Sequence, residues 1–158
     1  MRYWLKVLGW PNPEHYAGLH FDQAVARIDF PTGAGEPGMH IGDIVIVYGQ
    51  GIVNILYVAQ VTRQAYQANA AELAAEPWRH NYIWSVDGDN LYPQFGLNWH
   101  QYALDPFQLV DEYHRLAPGV PVTQAGNQGL GAINQGNDRI VLRPAFALFV
   151  IGQVAALN

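Results

Sequence analysis

Gly42-Asp43-Ile44-Val45-Ile46-Val47-Tyr48-Gly49 is followed, after Gln50-Gly51, by a second apolar run from Ile52 that ends Val58-Ala59-Gln60-Val61-Thr62-Arg63. Both runs are rich in β-branched residues, and Gly49-Gln50-Gly51 between them has the composition of a turn. The pair therefore reads as two buried strands joined as a hairpin. Towards the amino terminus, residues 2–8 read as a first strand. Alternation puts Trp4, Lys6 and Leu8 on one face of it and Tyr3, Leu5 and Val7 on the other. Gly9-Trp10-Pro11-Asn12-Pro13 stops this strand, because two prolines exclude a regular helix or a central strand there. Residues 16–28 are expected to hold a short helix, with Leu19, Ala24 and Ile28 loosely periodic, and residues 32–38 read as a Gly/Pro-rich loop.

Beyond the hairpin, residues 68–76 are alanine-rich, opened by Asn69 and closed by Pro77, which predicts a short helix. Residues 78–86 alternate well enough for a strand, and Asp87-Gly88-Asp89-Asn90 has turn chemistry. Asp105 and Pro106 suit the N-cap and first turn of a helix over 107–116, which Ala117-Pro118-Gly119 ends. The Gly/Gln/Asn stretch at 123–137 reads as a mobile loop, and the apolar runs at 139–154, split by Pro144, as a last strand or two. No repeat or linker interrupts this order. It is expected to be one α+β domain over residues 1–158 with a mainly β core.

Composition narrows the function classes. Half of the 158 residues are apolar and 13% are charged, which fits a globular chain and not a disordered one. No apolar run reaches the roughly 18–20 residues of a membrane span, and Met1-Arg2-Tyr3-Trp4 does not open a signal peptide. With no cysteine there is neither a disulfide nor a thiolate metal site, which fits a cytoplasmic protein. Lys6 is the only lysine and Ser85 the only serine, against twenty-two asparagines and glutamines. A net charge of −5 opposes long-range attraction to phosphate backbones, so any nucleic-acid contact must rest on local groups and on the base itself.

The order of these pieces resembles the EVE family of the PUA-like superfamily, which also holds the YTH and ASCH domains. The matching segments are Tyr3-Trp4-Leu5, the Gly42-Asp43 strand ending at Tyr48, and Val58-Ala59-Gln60-Val61 with Tyr66-Gln67. Pro77-Trp78-Arg79 and the run Leu142-Arg143-Pro144-Ala145-Phe146-Ala147-Leu148-Phe149-Val150-Ile151 complete the likeness, which touches nearly the whole chain. Where the family often places a serine after the tyrosine, this chain has Gly49-Gln50, and residues 29–39 lack the polar-rich segment of some members. The resemblance implies a PUA-like curled β-barrel with short helices at its rim, and a pocket for a base or modified base in DNA or RNA. A base offers a flat face for stacking and an edge of donors and acceptors.

Candidate ligand-binding residues follow from that expectation. Trp10 lies in a loop at a strand end, Tyr48 and Gln50 lie beside turn glycines, and Trp78 and Trp84 lie six residues apart in one expected strand, where they share a face. Asp29 and Phe30 stand in the segment where the family's pocket residues fall. Trp4 is expected in the core, Asp43 as a cap, and Arg79, His80 and Arg143 on a solvated surface. Catalytic motifs are lacking: Ser85 lies outside a G-x-S-x-G elbow, the glycines at 126–136 lack a P-loop lysine, and the six histidines form no HExxH. No catalytic residue, metal or cofactor is expected. The rival readings are a small-molecule binder or enzyme at the same barrel mouth, with His80, His100 and Asp105 as acid–base candidates, and a protein-interaction scaffold. The sequence leaves the oligomeric state open.

Overall fold

The computed structural model describes residues 1–131, 133 and 137–158. Six strands form one mixed sheet: β1 (Tyr3–Leu8), β2 (Val25–Phe30), β3 (Ile44–Gly49), β4 (Asn54–Gln67), β5 (Trp84–Asn90) and β6 (Arg139–Leu142). Their order is β2-β5-β4-β3-β1-β6. β1 runs parallel to β3, and every other pairing is antiparallel. The helices are α1 (Ala70–Ala75), α2 (Pro93–Asn98), α3 (Pro106–Leu116) and α4 (Pro144–Leu157). The fold is α+β, a curled mixed sheet with short helices around it. No helix among the described residues is long and apolar enough to cross a membrane.

The hairpin forms as read, with β3 buried along its whole length and paired to β4 from Ile44↔Gln60 to Gly49↔Asn54. β4 is long because it carries the curl. Its register with β5 shifts twice between Val61 and Tyr66, and such bulges bend and twist a strand. The bend brings the sheet edges towards one another. Arg139 of β6 donates to the carbonyls of Ala34 and Gly35, just past β2, and its guanidinium lies 5.3 Å from the centre of the Phe30 ring.

α1 and α3 form where expected. Asn69 and Glu72 make a reciprocal capping box, and Asp105 accepts from the amides of Phe107 and Gln108. Four expectations are corrected. The strand expected over residues 78–86 begins only at Trp84, because Pro77 opens a 3-10 turn over Pro77–His80. Residues 16–28 hold no α-helix: a 3-10 turn spans Pro13–Tyr16, and Val25–Phe30 is β2. The period-two alternation of Ala26, Ile28 and Phe30 outweighs a loose helical spacing. Asp87 to Asn90 is not a turn but the end of β5, held between β2 and β4. Gly88 fits there because any Cβ would lie 2.8 Å from the carbonyl oxygen of Gln60. Finally, Pro144 starts α4 and does not interrupt a strand, since the first helical position needs no N–H donor. Part of the loop expected over 123–137, residues 132 and 134–136, lies outside the described residues.

Candidate functional site

A cavity of about 530 Å³ opens beside the carboxyl end of β1. One wall is the loop that carries Trp10. The Tyr16 hydroxyl lies 2.8 Å from the Leu8 carbonyl and 2.9 Å from that of Trp10, and donates to one at a time. The Tyr16 ring packs on the indole with centroids 5.3 Å apart. This loop rests on the β3–β4 turn, where only glycine leaves room. A Cβ at Gly51 would lie 2.6 Å from the Trp10 carbonyl oxygen, and one at Gly49 would lie 2.5 Å from the Tyr16 ring. The turn glycines thus seat Trp10 at the rim.

The facing wall comes from the 3-10 turn Pro77–His80, which presents Trp78, and from Tyr82 beyond it. Their rings lie 6.3 Å apart. Arg79, between them in sequence, turns inward and is fully buried, which corrects its expected place on the surface. It donates through Nη1 to Glu72 Oε2 at 2.7 Å and through Nη2 to Ser85 Oγ at 3.0 Å. Ser85 in turn donates to Asp29 Oδ1 at 2.6 Å. The Arg79 hydrogen bond, with a backbone amide bond from Asn69, holds the Glu72 carboxyl below the usual carboxylate range. Asp29 lines the cavity and is also gripped by Arg27, with Nε 3.0 Å from Oδ1 and Nη2 3.2 Å from Oδ2.

Lys6 contributes the second polar group of the cavity. Its ammonium pairs with Asp138 at 2.6 Å, both side chains being buried, and lies 4.8 Å from the centre of the Phe30 ring. Burial pushes the Lys6 ammonium below the ordinary lysine value of 10.5, against the opposing pull of Asp138. Phe21 and Tyr57 stack nearby at 4.9 Å, and burial raises the Tyr57 hydroxyl well above the ordinary tyrosine range.

Of the expected ligand-binding residues, Trp10, Asp29 and Trp78 line this cavity. Phe30 lies behind Lys6, paired across the ladder with half-buried Trp84, and neither lines it. Tyr48 is buried against Phe107, with rings 5.9 Å apart, and burial raises its hydroxyl to about 12. Gln50 sits in the β3–β4 turn with its Oε1 buried and without a hydrogen-bond partner among the described residues. Lys6, Phe21, Arg27, Tyr57 and Tyr82 were not singled out by the sequence reading. The lone lysine inside an apolar strand was the one available signal for Lys6. His80 and His100 lie elsewhere, and Asp105 caps α3. Among the described residues no histidine pairs with a carboxylate. A further cleft of about 620 Å³ lies along β1 and β6, where the Trp4 indole is buried and donates to Asp43.

No family model matches the chain, and no curated protein sequence matches it. Solved structures do share the architecture. A hypothetical protein from Leishmania major superposes with a TM-score of 0.57 at 13% identity, over 99% of this chain and 96% of that one. A Pseudomonas putida protein gives 0.54 at 17% identity, over 96% of this chain and 98% of that one. Human THYN1, solved in complex with DNA containing 5-methylcytosine, gives 0.48 at 14% identity over 98% of each chain, a likeness too slight to argue from. At these identities the likeness speaks for a common fold alone.

Proposed function

We propose that this is a non-enzymatic module that binds a nucleobase or modified base in the cavity between Trp10 and Trp78, as the sequence-level likeness to EVE domains suggested. One observation carries the reading. Three of the four exposed aromatic residues, Trp10, Trp78 and Tyr82, ring the one opening that also presents Asp29 and Lys6. Aromatic surface left in water is unfavourable unless a partner covers it, and a flat heterocycle is the partner that stacks between rings.

The polar inventory supports the same ligand. A carboxylate has about four lone-pair sites; hydrogen bonds from Ser85 and Arg27 Nη2 occupy two on Asp29, and Arg27 Nε, ion-paired 3.0 Å from Oδ1, crowds a third. One acceptor site remains. Lys6 spends one of its donors on Asp138 and keeps others for a ligand carbonyl or ring nitrogen. The charges of Lys6, Arg27, Asp29 and Asp138 cancel, which suits a neutral ring better than a charged metabolite. The volume of about 530 Å³ falls in the ordinary range of small-ligand sites. The enzyme reading lacks support here, because its acid–base candidates stand outside the cavity.

Titrating the intrinsic tryptophan fluorescence with plain, methylated and hydroxymethylated nucleosides tests the proposal. Saturable quenching by one base is expected, weakened in Trp78→Ala and in Asp29→Asn. A flat response across the panel from folded protein would sink it.

A further inference from the structure

The cavity has a second lobe of about 400 Å³. Lys6, Trp10 and Tyr82 line both lobes, while Pro11, Pro31 and Asn81 belong to the second alone. The two spaces therefore lie side by side, with Lys6, Trp10, Tyr82 and Gly9 common to both. From this we infer that the site takes two consecutive nucleotides of a single strand, one base in the larger lobe and its neighbour against Tyr82, Pro31 and Asn81. The inference rests on the base-binding reading above.

The chemistry of the second lobe fits a base and its sugar and not a phosphate. Proline and tyrosine rings give apolar faces for a base or sugar. The Asn81 side-chain amide makes no hydrogen bond among the described residues and offers both donors and an acceptor to a base edge. The only lysine in reach is already paired with Asp138, and Asp138 also holds Arg139 at 2.8 Å. A phosphate therefore finds no unpaired cation among these residues, and the second nucleotide gains its affinity from stacking and edge contacts. Such a gain survives added salt.

The test compares a pool of nucleosides, including N6-methyladenosine and 5-methylcytidine, with dinucleoside monophosphates of the same bases, at low and high salt. Dinucleotides are expected to bind about tenfold more tightly or better, as one further stacked base allows, with the ratio little changed by salt. Asn81→Trp, at an exposed position, plugs the second lobe. It is expected to bring dinucleotide affinity down to the nucleoside value and to leave nucleoside binding unchanged. Equal binding of nucleosides and dinucleotides by the natural chain would overturn the inference and leave base binding standing. So would a length effect abolished by salt. Binding of neither would overturn both readings.

Discussion

Asp43 shows how a single side chain orders the amino-terminal strand. It accepts hydrogen bonds from the amides of Arg2 at 2.9 Å and His40 at 3.0 Å, and from the Trp4 indole at 3.0 Å. Burial pushes its carboxyl up, but the bonds from His40, Arg2 and Trp4 outweigh burial and hold it below the ordinary 3.8. The unfolded chain therefore binds this proton more readily than the folded one. Its contribution to stability is complete above 3.8 and fades as pH falls through the lower folded value. Asp43→Asn is expected to cost about 1–3 kcal/mol at neutral pH, with the gap to the natural chain closing in acid; urea unfolding at both pH values reads this. Ser85 joins two buried partners, so Ser85→Ala leaves Arg79 and Asp29 each one bond short. About 1–3 kcal/mol of stability should be lost in urea unfolding, and base quenching should weaken because Asp29 is then held by Arg27 alone. Arg79 was read as a surface residue because arginine usually is one. Its burial depends on a carboxylate and a hydroxyl brought to it by α1 and β5, neither of which a local reading supplies.

Local chemistry settles some elements and leaves others to their neighbours. α1 is specified by its own residues: Asn69→Ala removes one side of the capping box and should cost about 1 kcal/mol, measurable by thermal or urea denaturation. The β3–β4 turn is specified by what lies against it. Gly51→Ala is expected to push the Trp10–Pro11 backbone outward, shifting tryptophan emission and weakening ligand quenching more than it lowers the melting temperature. If emission and binding stay as they were, the turn does not set Trp10. The hairpin, α1 and α3 were legible because caps, β-branching and turn glycines act within a few residues. β5 was not, since Asp87-Gly88-Asp89-Asn90 is extended only because strands flank it on both sides. There Asp87 receives the Tyr66 hydroxyl at 2.6 Å. α4 is apolar almost all round, and such a run has no period that separates helix from strand.

Across the whole molecule, the Lys6–Asp138 pair ties β1 to the chain just before β6, residues 132 positions apart. Removing one partner strands the other, so Lys6→Met should cost about 3–5 kcal/mol. Pairing it with Asp138→Asn should recover part of that loss in a double-mutant cycle; full additivity would show that the two do not act together. With a net charge of −5 and local charges that cancel, ligand affinity should change little with salt, and a steep fall would point to phosphate contacts instead. Periodicity, caps and turn residues were enough to determine an α+β chain with a buried hairpin; loop position and strand spacing nominated Trp10 and Trp78, and the family resemblance nominated Asp29. Only the tertiary structure put these three around one cavity, added Lys6 and Tyr82, and withdrew Phe30, Tyr48, Gln50 and Trp84 from its walls. The reason is physical: secondary structure answers to forces within a turn or a strand pair. A cavity instead depends on how far the sheet curls, and that follows from bulges, backbone approaches and ion pairs between residues distant in sequence.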